Sequence, residues 1–438
     1  MNKRLNVMAV AISVMLVQQL AAQQRALTIE ESIRIGLEYS KVLHASQMKA
    51  AYADAKASEV AATLYPSVRV QAAFQKLSSV PEFRIPIPGN VVTFPVVLNT
   101  YNARATLQQP LFTGWKLQAA SDNASYQAEA TRLDLAKDRA ELIYSVKAAY
   151  WSLYRAKEVR RLADENVNQI SAHLNDVENL MKQGMATTND VLKVRVQLSN
   201  SKILQSDASN NEQIAMLAFN STVGLPLETQ VTLTSPLTPT TKDLPEVDKL
   251  VAAAFAQRPE VRGMEWRLKA SDAGITAAKG GWLPQVYLTG SYYYARPNQR
   301  IFPAKDEFKD SWDIGVSLQF DVWNNLTSLH QTNAAQAQYE QTKDALAMQR
   351  DGITLEVTQY YLSFNQAKQR IHLSELGVEQ ANENYRVTAE KFKAGLTTNS
   401  ELLDAEVALL QSKLQLTQAL VEYELAEARL EKAIGQAN

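Results

Sequence analysis

Two acidic side chains near the end of the chain are the residues whose type and spacing best suit an interaction with charged species. Glu401 and Asp404 stand three positions apart, so on a helix they would share one face. Thr398 precedes Glu401 in the order of a capping box, in which the glutamate accepts a hydrogen bond from the N-cap backbone N–H. Capping alone explains why a glutamate stands at position 401. Asp404 is either a solvated surface residue or a functional one.

The same order occurs earlier in the chain. Thr187 or Thr188 can cap a helix there, and Asp190 takes the place of the glutamate. A glycine stands just before each cap, Gly184 in the first segment and Gly395 in the second. Glycine suits the left-handed residue that ends a helix. Both segments therefore predict a short turn between two helices.

The sequence gives no indication of catalysis. His44, His173, His330 and His372 lie in separate predicted helical segments, none with a second histidine or a carboxylate at recognisable metal spacing. We interpret each as a surface or packing residue. The sequence has no Gly-rich phosphate loop and no nucleophile motif. We expect no enzymatic activity, no metal site and no cofactor.

The composition excludes several classes of protein and favours long helices. The 438 residues include 45 basic and 46 acidic side chains, so a basic footprint for nucleic acid is lacking. The chain contains no cysteine, which excludes disulfides, thiolate metal sites and a lipid-bearing N-terminal cysteine. Only 15 glycines and 14 prolines interrupt a sequence rich in helix-forming residues.

The first 22 residues have the order of a secretory signal. Lys3 and Arg4 precede an apolar run over about residues 5–17, and the small residues Ala21 and Ala22 follow. An amphipathic soluble N-terminus is the alternative. No later stretch offers 18 consecutive apolar residues, so any passage through a membrane would have to use strands.

The chain is duplicated internally. Gly184 and Gly395 are 211 positions apart, as are Thr187 and Thr398, and the offset holds without a gap from Leu107 onwards in the first copy. Upstream the offset is 218, so the first copy carries seven extra residues, which we expect in a Pro-rich loop between the strands. The predicted repeats are residues 23–240 and 241–438.

Each repeat contains one very long predicted helix. The two helices cover about residues 116–181 and 326–393, and neither contains a proline. At 1.5 Å per residue each is roughly 100 Å long, far more than the diameter of a compact domain. The turns that follow cover about residues 182–190 and 394–401. A coiled-coil protein of the cell envelope would explain such helices equally well.

Alternating segments argue against a plain coiled coil. Apolar and polar residues alternate clearly in 67–75 and 313–323, and less cleanly in two further segments. Each run has about the length that a tilted transmembrane strand needs. Since four strands cannot close a barrel, the chain would have to share them in a symmetric oligomer. The predicted strands cover about residues 66–75, 101–112, 283–294 and 312–323.

In this order of elements the chain resembles the TolC-like outer-membrane efflux proteins. The resemblance covers roughly residues 26–436, and the duplicated turn segments are its most specific part. The segments that carry it are KQGMATTNDVLKVRVQL (Lys182–Leu198), KAGLTTNSELLDAEVAL (Lys393–Leu409), LQQPLFTGWK (Leu107–Lys116) and YPSVRVQAAF (Tyr65–Phe74).

The resemblance implies a mainly α-helical fold with transmembrane β-strands. Three copies of the chain would form a 12-stranded β-barrel in outer-membrane lipid, continued by a long α-helical barrel in the periplasm. Such a homotrimer is the passive exit duct of a tripartite efflux or type I secretion system. A periplasmic adaptor couples it to an inner-membrane pump of the RND or ABC type. A non-channel coiled-coil structural protein of the cell envelope is the alternative. The resemblance does not specify the exported cargo.

The resemblance also assigns roles to the turns. Glu401 and Asp404 match the acidic residues that line the family's constriction, where six carboxylates of a trimer would attract cations and raise one another's proton affinity. Lys193 takes the place of Asp404 in the first repeat. No arginine follows Gly395, unlike in well-studied members, so we expect a weakly latched entrance. The expected adaptor-docking residues are Gly184, Met185, Thr187, Asp190, Gly395, Leu396 and Thr398.

Overall fold

The computed structural model of the chain describes residues 25–94, 96–237, 243–323 and 325–436. The predicted secretory signal, residues 1–22, lies outside the described residues. The predicted boundary between the repeats, at residues 240 and 241, lies outside them as well.

Long helices dominate the described chain, and short strands interrupt them. The first part comprises β1 (Arg25–Leu27), α1 (Ile29–Tyr39), α2 (Lys41–Ala62), β2 (Ser67–Lys76), β3 (Phe83–Ile87), β4 (Asn90–Phe94), β5 (Asn99–Phe112), α3 (Lys116–Lys182) and α4 (Thr188–Val223). The second part comprises β6 (Val231–Leu233), α5 (Val247–Gln257), α6 (Pro259–Lys279), β7 (Gln285–Arg296), β8 (Lys309–Gln319), α7 (Asn325–Lys393) and α8 (Asn399–Ala433). Among the helices described, none is both long and apolar enough to cross a membrane.

The chain divides into two compact units, and each draws residues from both predicted repeats. Unit 1 contains the described residues up to Met48 together with 134–261 and 348–436. Unit 2 contains 49–133 and 262–347. The sheet of β2, β5, β7 and β8 lies in unit 2, and the turns at the ends of α3 and α7 lie in unit 1. The units therefore do not follow the sequence duplication.

In unit 2 four strands form an antiparallel sheet in the order β2-β5-β7-β8. One face carries apolar rows such as Val68, Leu107, Gly290 and Ile314, which are paired in register across the four strands. Successive side chains of a strand point to opposite faces. The rows between the apolar ones, which are mainly polar, therefore lie on the other face of the sheet. The apolar side chains of the outer strands are exposed: Val70 to 74% and Ile314 to 69%.

The last strand of the sheet ends earlier than the alternation of its sequence predicts. Apolar and polar residues alternate as far as Trp323, yet β8 ends at Gln319, which pairs with Gln285 at the start of β7. The next partner along β7 would be Pro284. Proline has no N–H to donate to the ladder, so pairing stops there although the sequence pattern continues.

The Pro-rich connection between β2 and β5, predicted as a loop, contains a two-stranded hairpin. β3 and β4 pair in antiparallel register, with Ile87 opposite Asn90. Gly89 makes the turn with a φ of 88°, a left-handed conformation that glycine adopts without strain. The β-branched residues on both sides of this turn favour strands over an irregular loop.

Around Tyr150 the apolar core of unit 1 joins helices and short strands from both repeats. This side chain of α3 is fully buried and packs with Phe219 of α4 and Val421 of α8. Its hydroxyl donates to the carbonyl of Leu27 at 3.2 Å and accepts from the N–H of Ser235 at 2.9 Å. A buried hydroxyl needs such partners. The position therefore ties the β1–β6 pair to the long helix.

A buried arginine links three further elements of unit 1. Arg258, at the junction of α5 and α6, is 5% exposed. Its guanidinium donates to the carboxylates of Glu260 and Glu356, at 3.0 and 2.5 Å, and to the backbone carbonyl of Ala433. The planar fork of arginine suits this arrangement of acceptors, and lysine could not reproduce it. Two carboxylates would lose their counter-charge if the guanidinium were removed.

We expect the substitution Arg258→Met to lower the free energy of unfolding by about 3 kcal/mol, because it leaves partly buried carboxylates without a partner. Arg258→Lys should recover only part of the loss. Denaturant unfolding of the purified protein, followed by circular dichroism, measures the change. The control is Lys249→Met, at an exposed ion pair with Glu246, which should cost less than about 1 kcal/mol. Equal unfolding midpoints for Arg258→Met and Lys249→Met would show that the Arg258 network does not stabilise unit 1.

Candidate functional site at the helix turns

The two long helices end in the same turn. Gly184 and Gly395 adopt left-handed backbone conformations, with φ of 77° and 71°. After α3, the N–H of Met185 donates to the carbonyl of Leu180, and the N–H of Gly184 donates to Met181. The equivalent bonds occur after α7, from Leu396 to Lys391 and from Gly395 to Phe392. This is the Schellman arrangement, which satisfies carbonyls at a helix end.

The helices that follow both begin with a capping box. Thr187, rather than Thr188, caps α4: its Oγ1 accepts from the N–H of Asp190 at 3.2 Å. The carboxylate of Asp190 accepts in return from the backbone N–H of Thr187 at 3.0 Å and from its hydroxyl at 2.6 Å. These hydrogen bonds hold the pKa of Asp190 below its usual value. At the second turn Thr398 and Glu401 form the equivalent box.

The capping geometry distinguishes the two acidic residues that the sequence pairs. The carboxylate of Glu401 accepts from the N–H of Thr398 at 3.4 Å and from the hydroxyl of Thr397. Asp404 is exposed and makes no hydrogen bond or ion pair within the described part of the chain. Glu401 therefore has a structural role at the start of α8, while the carboxylate of Asp404 is available to an ion or another chain.

Hydrogen bonds join the turn of the first repeat to that of the second. The ammonium group of Lys193 donates to Ser400 at 2.9 Å, and the side-chain amide of Asn399 donates to the carbonyl of Asp190 at 3.3 Å. Buried valines of α3 and α4 pack against Leu403 and Phe392 below these contacts. Lys193, which replaces Asp404 in the first repeat, thus binds a serine and not a carboxylate.

Two apolar side chains project at the turns. Met185 is 66% exposed and Leu396 is 76% exposed. They occupy the same position in the two repeats, directly after the left-handed glycines. Exposed apolar side chains held on rigid turns can contact a partner with little loss of conformational entropy.

A buried pair that the sequence analysis did not identify lies between α3 and α8. Nδ1 of His173 is 3.0 Å from a carboxylate oxygen of Glu406, and the two residues are 5% and 3% exposed. The ring of Phe392 packs edge-on against the imidazole at 5.5 Å. A signal was present in the sequence: Glu406 interrupts the buried stripe of α8, which contains Leu402, Ala405 and Leu409. A carboxylate on such a stripe needs a buried partner.

A cavity of about 390 Å³ lies beside this pair. Residues of α3, α7 and α8 line it, among them Gln169, His173, Tyr385, Phe392 and Glu406. Burial raises the pKa of the Tyr385 hydroxyl, and the nearby Glu406 carboxylate raises it further. The described residues contain no group of three or more His, Cys, Asp or Glu side chains that could hold a metal ion. The cavity can accommodate a small polar molecule, but it does not have the ligands of a metal centre.

The comparison with protein families gives one match that covers most of the chain. The model of the family "Outer membrane efflux protein" matches residues 33–225 and 250–436. These two stretches include both helix turns.

Individual relatives are distant in sequence, and a solved outer membrane protein has a similar fold. The outer membrane efflux protein BepC of Brucella suis is 21% identical over 333 residues, which are 75% of this chain and 71% of the relative. The alkaline protease secretion protein AprF of Pseudomonas aeruginosa is 22% identical over 76% of this chain and 69% of its own length. The crystal structure of the outer membrane protein VceC from Vibrio cholerae superposes with a TM-score of 0.78 at 17% identity, covering 93% of this chain and 96% of that one.

The capping box at Thr187 should open in acid. Because the folded pKa of Asp190 is lowered, its contribution is complete above the unfolded value near 3.9 and is lost as pH falls through the folded value. Hydrogen exchange at the first amides of α4, corrected for intrinsic rates, should show constant protection from pH 7 to about pH 5 and less protection below about pH 4. In Asp190→Ala, which should lose about 0.5–1 kcal/mol of local stability, this dependence should disappear. The same pH profile in both proteins would contradict the prediction.

Breaking the His173–Glu406 pair should be costly. We expect His173→Ala to lower the free energy of unfolding by about 3 kcal/mol, because it leaves a buried carboxylate unpaired. The double variant His173→Leu/Glu406→Leu should lose less than the sum of the two single Leu variants. The control is Arg195→Ala, at an exposed ion pair with Glu178, where we expect less than about 1 kcal/mol. Denaturant unfolding that gives equal losses for His173→Ala and Arg195→Ala would exclude a stabilising role for the pair.

Proposed function

Since the chain belongs to the outer membrane efflux protein family, we propose that it is the exit duct of a tripartite efflux or type I secretion system. The protein resides in the outer membrane and extends into the periplasm, as the family does. Members of the family are passive channels and not enzymes. The energy for transport therefore comes from a partner.

The observation that carries this proposal is the sheet of unit 2. Its outer strands, β2 and β8, have no second neighbouring strand within the described residues, and one face of the sheet exposes Val68, Val70, Trp312 and Ile314. In hydrocarbon every backbone N–H and C=O needs a partner, so an open sheet is not stable there. We propose that β8 of one copy pairs with β2 of the next. Three copies would give a closed 12-stranded barrel with lipid on the apolar face.

The alternative, a coiled-coil spacer of the cell envelope, does not account for this sheet. A spacer needs only the helices α3, α4, α7 and α8, and a sheet with one exposed apolar face would be a liability for aggregation in water. In a channel, the same face is required for contact with lipid.

The helix turns are the proposed docking site of a periplasmic adaptor. Met185 and Leu396 offer two exposed apolar contacts per chain, and the capping boxes at Thr187 and Thr398 hold the turns rigid. Asp404 is the proposed constriction residue, and Glu401 contributes mainly through its cap. Relatives include an alkaline protease secretion protein and a toluene efflux pump protein. The proposed partner pump is of the RND or the ABC type.

Photo-cross-linking in living cells tests the docking site. A photo-reactive amino acid at Met185 or Leu396 should capture a periplasmic adaptor, which mass spectrometry of the product identifies. The probe at Leu373 of α7, which is 67% exposed and lies outside both turns, is the control and should capture little or none. The pump encoded with the captured adaptor then defines the class of cargo.

The negative outcome is also informative. If neither turn probe captures an adaptor while the protein is present in the outer membrane, the proposal of an adaptor-coupled duct is wrong. Ion conductance of the purified protein in a planar lipid bilayer then separates a self-standing channel from a spacer, since a spacer conducts no ions.

A further inference from the structure

The polar face of the sheet in unit 2 carries mainly basic side chains. The register places Arg69 in one row with Thr106, Ser291 and Asp313, and it places Arg104 in the next row with Gln71, Tyr293 and Ser311. Lys309 lies opposite Ala295 on the same face. Directly paired residues share a face, as do residues two positions apart. The positions of these three cations therefore follow from the register alone.

Arg104 is held in place without a counter-ion. Its Nη2 donates to the hydroxyl of Ser291 at 3.1 Å, and its guanidinium lies over the ring of Tyr293 at 4.9 Å. Its Nε is buried and has no hydrogen-bond partner. No carboxylate forms an ion pair with Arg104 or Arg69 in the described part of the chain. The positive charge of Arg104 is thus oriented by neutral groups and stays uncompensated.

The acidic residue of this face is already neutralised. Asp313 forms an ion pair with Arg300 at 2.8 Å, and Arg300 also donates to the carbonyl of Trp312. The guanidinium of Arg300 also lies over the ring of Tyr293, at 5.7 Å. Among the paired rows of the sheet, Asp313 is the one carboxylate on the polar face. Arg300 cancels the charge of Asp313, so Arg69, Arg104 and Lys309 leave a net charge of +3 per chain on this face.

We infer that this face makes the strand section of the channel attractive to anions and favours negatively charged cargo, such as molecules bearing carboxylate or phosphate groups. The inference rests on the proposed function, in which the polar face lines the lumen. Three copies would place nine positive charges in excess around one pore. Walls of one charge sign raise the local concentration of counter-ions about tenfold or more. The negative charge of Asp404 at the helix turns would instead attract cations.

Reversal potentials in planar lipid bilayers under a KCl gradient test the inference. The variant Glu401→Gln/Asp404→Asn serves as background, so that the acidic turns do not set the ion selectivity. We expect chloride to be more permeant than potassium in this background. Adding Arg69→Gln and Arg104→Gln should lower the chloride-to-potassium permeability ratio at least about twofold. The preference should also weaken at 1 M salt, where the Debye length is about 3 Å.

Charge-conserving and remote substitutions are the controls. Arg69→Lys/Arg104→Lys should keep the anion preference, which separates charge from folding. Arg296→Gln should leave it unchanged, since Arg296 belongs to the apolar rows and pairs with Asp306. A conducting channel without preference for chloride, or an unchanged ratio in Arg69→Gln/Arg104→Gln, overturns this inference alone. Absence of any conductance from the unsubstituted protein overturns the proposed function together with it.

Discussion

The backbone N–H and C=O groups along the outer edges of β2 and β8 need partners that the described chain does not supply. In water these groups could bond to solvent, but the apolar rows beside them, which contain Val70 and Ile314, are unfavourable there. In lipid the apolar rows are favourable, and the open edges are not. Both requirements are met when copies of the chain share their strands in a ring. The transmembrane channel follows from this constraint on a four-stranded sheet.

A ring of sheets also determines how the rest of the chain can function. In the proposed ring the polar face lines a pore, so the cations Arg69, Arg104 and Lys309 would act together on the ions and molecules that pass. In unit 1 the proposed adaptor contact uses an exposed surface: the turns after α3 and α7 present Met185 and Leu396, and Asp404 makes no ion pair with any described residue. We therefore propose that selectivity arises at two places of opposite charge, Asp404 at the turns and the cations on the polar face of the sheet.

Buried polar contacts in unit 1 connect helices that are far apart in the sequence. His173 belongs to the long helix of the first repeat, whereas Glu406 belongs to the last helix of the second. Arg258 joins the start of α6 to α7 and to the end of α8. Because an unpaired buried charge costs several kcal/mol, these contacts oppose any sliding of the helices that would separate the partners. They favour one relative arrangement of the helices over others that would bury the same apolar area.

The sequence by itself determined what depends on near neighbours along the chain. Helical periodicity, the alternation of the strands, the left-handed glycines and the capping boxes at Thr187 and Thr398 involve residues only a few positions apart, so their patterns can be read directly. The duplicated turn segments also carried the resemblance that predicted the family and the fold class, and the family match agrees with it. Only the tertiary structure decided which distant residues meet. The His173–Glu406 pair spans 233 positions and the Arg258–Glu356 pair spans 98. The early end of β8 depends on Pro284, which directly precedes the neighbouring strand β7. Such contacts depend on how far each helix is rotated and which strands are neighbours, and no short-range pattern encodes either.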